Sequence, residues 1–347
     1  MPTATVNGVR LHYEEAGRGP TLLLIHAFPV GTGMWAPQVP FFARRFRVVT
    51  YDVRGFGRSE APIEPARYSQ AQSVEDAAGL LTHLGADQAA ACGLSMGGNI
   101  ALNLALAHPE RVQALVLCDT GAGSEDPAAF RARCDEYAEA AAGGMEGFVR
   151  ATARWNTFDD FARRGPREAA QLRALALSQP SHGIALTARY ALATRPPVYA
   201  LEARLRVLRT PSLVVYGEHD EACVRTSGFL AATIPAASLW MVPGASHFVN
   251  LDYPDLFNER VLAFLEACGA AEPGDELDLR GEVCPYTFLK AKLALESLGS
   301  GMVLRVVVDN PASARDVPRS LAGAGHVVLD VRALDPSLWV IVVRKGG

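Results

Sequence analysis

Short, uninterrupted apolar runs recur along the first part of the chain, at residues 22–26, 47–51, 89–93, 112–118, 212–216 and 237–242. Runs of this length without polar alternation are what strands buried on both faces require. Between them lie stretches with apolar residues at helical spacing, as at 73–84 and 97–107, the second stopped by His108-Pro109. Strand and helix in alternation predict a mostly parallel sheet covered by helices. Residues 6–13 also predict a strand, ending in a turn at Gly17-Arg18-Gly19-Pro20. From about 121 to 209 the strand pattern vanishes and helical stretches such as 128–142 and 184–193 take over, which predicts a helical cap inserted between sheet strands. A final helix runs from 254 to Cys268.

The pattern then breaks. Residues 269–276, rich in Gly, Ala, Pro and acid, have the composition of a linker. Beyond it, strands are expected at 276–279, 302–308, 327–331 and 338–343, and helices at 285–298 and 312–322. This βαβαββ order predicts an open sheet with two helices on one face, a small two-layer α/β sandwich. The division is therefore 1–268, a linker, and 277–347. All three lysines (Lys290, Lys292 and Lys345) fall in the last segment, a shift in composition that supports the boundary.

Bulk properties narrow the function classes. A chain of 347 residues accommodates two domains, and 49% hydrophobic with 20% charged residues is ordinary for a globular protein. A formal charge of −4 without any Lys/Arg-rich run argues against nucleic acid as a partner. No apolar stretch is long enough for a membrane span, and the first ten residues carry no leader-like core, so a cytoplasmic protein is expected. The six cysteines show no paired spacing, which predicts reduced thiols; no metal and no cofactor are expected.

Gly93-Leu94-Ser95-Met96-Gly97 sits between an apolar strand and an Ala/Leu helix, the setting in which a serine is held on a strained turn with its hydroxyl exposed. A serine hydroxyl needs a base. His247 follows the strand at 237–242 and Asp220 follows the strand at 212–216, so loops at one sheet edge would bring base and acid to Ser95. His219 competes as base and Glu218 as acid. Arginines of the cap, Arg150 and Arg154, are read as a solvated helix face, with pairing to an acidic substrate as the alternative.

These landmarks, with His26-Ala27-Phe28-Pro29 and Asp52-Val53-Arg54-Gly55-Phe56-Gly57-Arg58-Ser59, resemble the α/β-hydrolases, in particular esterases, enol-lactonases and cofactor-free haloperoxidase-like members. The resemblance covers the first 268 residues. It implies a Ser95–Asp220–His247 triad and an oxyanion hole from the backbone N–H groups of Phe28 and Met96, with His26 bracing the loop. Met34 and Trp35 are expected to contact substrate. Ala27 departs from the glycine common in the family. A serine rather than a carboxylate at the elbow favours acyl transfer on a small ester, lactone or thioester. The alternatives are perhydrolase or haloperoxidase-type chemistry, or a degenerate hydrolase scaffold serving sulfur relay.

Cys284 precedes Pro285 at the start of a helix, where proline is well suited and where the helix dipole favours thiolate. The run Leu277-Asp278-Leu279-Arg280-Gly281-Glu282-Val283-Cys284-Pro285, together with Lys290, Asp309-Asn310-Pro311-Ala312 and Asp316-Val317-Pro318, resembles the TusA/SirA-like sulfur carriers. That resemblance implies a persulfide on Cys284 and a sulfur-relay protein as its partner. Thr287 stands where the family often has a second proline.

Overall fold

The computed structural model describes residues 2–152, 165–270, 275–335 and 337–346. The chain divides into two compact units, Met1–Ala271 and Glu272–Gly347. Residues 271–274 of the expected linker, and Arg154, lie outside the described residues.

The first unit is built on β1 (Thr3–Val6), β2 (Val9–Ala16), β3 (Thr21–Ile25), β4 (Arg47–Tyr51), β5 (Ala89–Leu94), β6 (Val112–Cys118), β7 (Ser212–Gly217) and β8 (Ala237–Val242). They form one sheet in the order β1-β2-β4-β3-β5-β6-β7-β8. From β4 to β8 every pairing is parallel, with Leu24 beside Cys92 and Val116 beside Leu213. Residues 6–13 are not one strand. Asn7 (φ 49°) and Gly8 (φ 71°) make a two-residue turn and pair β1 against β2, Val6 facing Val9. Asn-Gly is the sequence that such a hairpin favours, because both central residues need positive φ.

Helices α1 (Gln70–His83) and α2 (Met96–Ala107) pack against the sheet, α1 capped by the Ser69 hydroxyl, which accepts from the Gln72 N–H at 3.1 Å. The cap segment contributes α3 (Pro127–Ala142), α4 (Met145–Thr152), α5 (Pro166–Leu177) and α6 (Ser181–Leu186), the last running into a wider helical turn over Thr187–Leu192. After β7 comes α7 (Glu221–Thr233), and α8 (Pro254–Ala267) follows β8. Strand residues alternate between two core layers. Leu23, Ile25, Ala91, Leu115 and Val214 face the layer with α1, α2 and the cap, while Leu22, Leu24, Cys92, Val116 and Val215 face the layer with α8.

The second unit runs β9 (Asp275–Asp278), α9 (Tyr286–Ser297), β10 (Val303–Val308), α10 (Pro311–Gly323), β11 (Val327–Asp335) and β12 (Leu338–Arg344). Its sheet order is β11-β12-β10-β9, with β9 parallel to β10 and β12 antiparallel to both neighbours. Ala291 and Leu295 of α9, and Val317 and Leu321 of α10, share one core with Leu304, Val306, Ile341 and Val343, so both helices cover the same face. The βαβαββ order and the two-layer architecture are those expected from the sequence.

Candidate active sites

β5 ends in a turn that bends Ser95 to φ 55°, ψ −108° before α2 begins at Met96. Such a backbone costs about 1–3 kcal/mol and persists only where its surroundings enforce it. The enforcement is steric: a Cβ on Gly93 would come within 2.2 Å of the Gly97 carbonyl oxygen, and one on Gly97 within 2.0 Å of the Ile25 carbonyl oxygen. The Ser95 N–H donates to the Cys118 carbonyl at 2.8 Å, tying the turn to β6.

Two strands further along the same edge, Asp220 follows β7 at the start of α7, and His247 follows β8. His247 Nδ1 lies 2.8 Å from Asp220 Oδ2. A carboxylate on Nδ1 assigns that nitrogen the proton and leaves Nε2 free to accept one. Burial disfavours the imidazolium, but the Asp220 charge and hydrogen bond outweigh it, and the pKa of His247 lies above that of an ordinary imidazole. Burial likewise pushes the Asp220 carboxyl up; the His247 charge, with hydrogen bonds from His247, Asp119 and Cys223, brings it below the usual carboxylate value. The rival groups are turned away. His219 is exposed, and Glu218 is exposed with its Oε2 accepting from the Gly244 N–H at 2.8 Å.

Asp119 was not singled out by the sequence. It follows β6 and is fully buried. Its Oδ1 accepts from the Gly217 N–H at 2.9 Å, while no group among the described residues donates to the buried Oδ2. Burial and the nearby Asp220 charge push the Asp119 carboxyl well above its ordinary value. The neutral form of Asp119 is thereby favoured, and a hydrogen bond between the two carboxyl groups helps to keep Asp220 ionised. The signal was present in Cys118-Asp119-Thr120, an acid at the carboxyl end of a parallel strand. Cys223, also buried, has its thiol pushed up by burial first and then by its acidic neighbours, Asp220 foremost. Asp220, Cys223 and His247 bring one donor atom each within 4.8 Å of one another, a group able to take a cation, although the short His247–Asp220 bond already engages two of the three.

Around Ser95, the N–H groups of Phe28 and Met96 are taken up by no loop or cap hydrogen bond among the described residues. His26 is buried; its Nε2 accepts from the Val53 N–H at 3.0 Å, so Nδ1–H donates to the Ala27 carbonyl at 2.9 Å, bracing the turn after β3. Ala27 has no exposed surface and lies in the α8-side core, so its methyl packs inward. Met34 and Trp35 are also fully buried: the Met34 sulfur accepts from the Ala27 N–H at 3.1 Å, and Trp35 packs on Phe257. Neither borders space open to a substrate, because the helical turn Thr32–Trp35 folds both side chains into the core. Phe28 instead meets Phe56, Tyr137 of α3 and Phe148 of α4, an aromatic wall shared with the cap.

The cap arginine near the triad is Arg195 rather than Arg150, which is exposed. Arg195 lies over the Phe130 ring at 4.8 Å and donates to the Ala122 carbonyl at 2.6 Å. Burial lowers its pKa, its charge in turn disfavours the His247 cation, and no carboxylate pairs with it among the described residues.

In the second unit Cys284 is exposed, whereas Cys92, Cys118, Cys134 and Cys223 are buried and Cys268 is half-buried. Helix α9 starts at Tyr286 with Pro285 as its cap residue, so Cys284 lies one position before the cap. Its Sγ lies 3.0 Å from Thr287 Oγ1 and 3.8 Å from Ser313 Oγ. Asn310 caps α10 by accepting from the Ser313 N–H at 2.7 Å, and its Nδ2 donates to the Glu282 carbonyl at 3.0 Å. The Asp309 carboxylate accepts from the Gly281 N–H at 2.8 Å. The cysteine loop is thus tied to the start of α10.

Comparison with known proteins bears on both units. The family model described as alpha/beta hydrolase fold matches residues 20–254, and that of sulfurtransferase TusA matches residues 275–345. The chain is 30% identical over 271 residues to 3-oxoadipate enol-lactonase 2 of Acinetobacter baylyi, spanning 76% of this chain and 96% of that protein. Over 74 residues, 21% of this chain, it is 47% identical to a putative sulfur carrier protein of Archaeoglobus fulgidus and covers 84% of it. The crystal structure of the enol-lactonase from Burkholderia xenovorans LB400 superposes with a TM-score of 0.66 at 31% identity, over 76% of this chain and all of that one.

Proposed function

Because this chain belongs to the α/β-hydrolase family and carries a TusA sulfurtransferase domain, we propose that its first unit is a serine hydrolase of small esters, lactones or thioesters and that its second carries sulfur on Cys284. The observation that carries the first half is the 2.8 Å bond from His247 Nδ1 to Asp220 at the sheet edge that also holds Ser95. With Nδ1 engaged, His247 Nε2 takes the Ser95 proton as Oγ attacks the substrate carbonyl. The oxyanion is met by the Phe28 and Met96 N–H groups, the second at the positive end of α2. His247 then protonates the leaving group, and water attacks the acyl-serine by the same route in reverse. Asp220, ionised by its surroundings, stabilises the imidazolium formed in each step. Arg195, a cation without a carboxylate partner among the described residues, favours substrates that carry an acidic group.

A fluorophosphonate that labels Ser95 in the parent chain and not in Ser95→Ala, with turnover of an ester, lactone and thioester panel, is the expected result. A folded chain that neither labels nor turns over any member would make the first unit a scaffold for sulfur relay. For the second unit, incubation with inorganic polysulfide should leave one extra sulfur on the parent chain and none on Cys284→Ser, read by mass.

A further inference from the structure

Thr287 occupies the place of the second proline of the carrier motif, and the exchange brings in a hydroxyl that proline lacks. This hydroxyl has nowhere else to go. Thr287 and Ser313 have no exposed surface, and a buried hydroxyl is rarely left without a partner. A threonine in a helix often returns its hydroxyl to the carbonyl one turn back. Among the described residues neither hydroxyl does so. Thr287 Oγ1 contacts Cys284 Sγ at 3.0 Å and Ser313 Oγ at 3.3 Å, and Ser313 Oγ reaches only these two atoms. Each hydroxyl has one proton to give. When Cys284 is a thiolate it can only accept, and the distances favour one order: Thr287 O–H donates to Sγ at 3.0 Å, and Ser313 O–H donates to Thr287 Oγ1 at 3.3 Å rather than to Sγ at 3.8 Å. Ser313 is held for this by the first turn of α10, which Asn310 caps and ties to the cysteine loop.

Resting on the reading of Cys284 as the sulfur-carrying thiol, we infer that Thr287 is a catalytic hydrogen-bond donor to Cys284 Sγ, positioned by Ser313, and that the pair promotes release of the carried sulfur. In loading, the Cys284 thiolate attacks the terminal sulfur of a donor persulfide; the Sγ–S bond forms, the donor's S–S bond breaks, and the electron pair leaves on the donor thiolate. In release, an acceptor nucleophile attacks the terminal sulfur, the Sγ–S bond breaks, and the electron pair comes to rest on Sγ. A hydroxyl donating to Sγ stabilises that departing charge. A thiolate so stabilised is a better leaving group and a weaker nucleophile, so release gains at the expense of attack.

The test uses the full chain, inorganic polysulfide as donor and cyanide as acceptor. Cyanide takes the terminal sulfur as thiocyanate and returns Cys284 as thiolate, so one reaction reads the release step alone. Relative to the parent chain, Thr287→Val should slow thiocyanate formation from loaded protein by about three- to ten-fold, while Thr287→Ser restores it. Ser313→Ala should fall between them and stands in should Thr287→Val not fold. A parent-like rate in Thr287→Val, or a Thr287→Ser as slow as Thr287→Val, overturns the inference. If the parent chain takes up no sulfur, the carrier reading fails instead. The hydroxyl's action on Sγ is then read from alkylation by iodoacetamide in alkaline solution, where the thiolate is the attacking species throughout; Thr287→Val should speed it and Thr287→Ser return it to the parent rate, and equal rates in all three would overturn the hydroxyl's role as well.

Discussion

The pairing of Asp119 with Asp220 makes a sharp prediction because two substitutions at one position should part company. Asp119 performs two tasks in a fully buried place: its Oδ1 accepts from the Gly217 N–H, and its carboxyl, pushed towards the neutral form, hydrogen-bonds Asp220. Asn retains one acceptor and one donor in the same geometry. Ala removes both and leaves a buried N–H and a buried carboxylate each short of a partner, at about 1–3 kcal/mol apiece, or about 2–6 kcal/mol together. Asp119→Asn should therefore stay within about 1 kcal/mol of the parent. The pH dependence sharpens the difference. A carboxyl whose folded pKa is raised holds a proton that the unfolded chain sheds once the pH passes its model value of 3.8, so its contribution to stability declines as pH rises from there towards the folded pKa. Asp119→Asn lacks this decline and should gain on the parent from pH 4 towards neutral. Pulse proteolysis across a urea series, following the first unit, measures both effects. An Asn variant as unstable as the Ala variant, or one that loses ground as pH rises, would mean that Asp119 is ionised and the reasoning is wrong.

Four further outcomes follow from the same geometry. Asp220→Asn should lower kcat by about ten-thousand-fold with little change in folding, since the amide no longer holds the His247 proton on Nδ1 or stabilises its cation; steady-state ester hydrolysis reads it. The acid limb of kcat/KM should have its midpoint above 6.5, because Asp220 raises the pKa of the base that must be neutral, and a pH–rate profile checks it. Arg195→Met should raise KM about ten-fold for esters bearing a carboxylate and leave neutral esters unchanged, compared on a matched substrate pair. Asp76→Ala should cost about 3–5 kcal/mol in urea unfolding, because it strands the Arg54 guanidinium, which now meets both Asp76 oxygens at 2.8 Å with almost no exposure of either side chain; Arg54→Met with Asp76→Leu should regain most of that.

The strands Arg47–Tyr51 and Val112–Cys118 were legible to the residue, because a parallel strand inside an α/β core writes itself as an apolar run; Ala237–Val242 was legible as well, although at the edge of the sheet only Val242 is buried. The β1–β2 hairpin was misread as one strand because Val6 and Val9 stand close together; the turn is marked by the backbone preference of Asn7 and Gly8 and by the shift in alternation from positions 4 and 6 to positions 9, 11 and 13. Ser95, Asp220 and His247 carried motifs on the loops that follow strands. Asp119 and Arg195 carried none. Their importance comes from β6 lying beside β7 after a cap of more than ninety intervening residues, a neighbourhood that chain order conceals. Met34 and Trp35 show the opposite error: closeness in sequence to Phe28 is not closeness to its exposed side. At Cys284 the motif was legible, but the Ser313 hydroxyl beneath it became visible only once α10 was brought to the cysteine loop.

The strain at Ser95 does not come from the serine. It is imposed by Gly93 and Gly97, whose missing Cβ atoms let the turn press against β3 and α2. The scaffold therefore works as a socket that accepts interchangeable tips. A cysteine or an aspartate set at position 95 would be presented at the same height and angle, and the reacting group would change while the fold did not. In a lineage built on such a socket, the chemistry is free to drift one residue at a time, whereas the two glycines beside it are not.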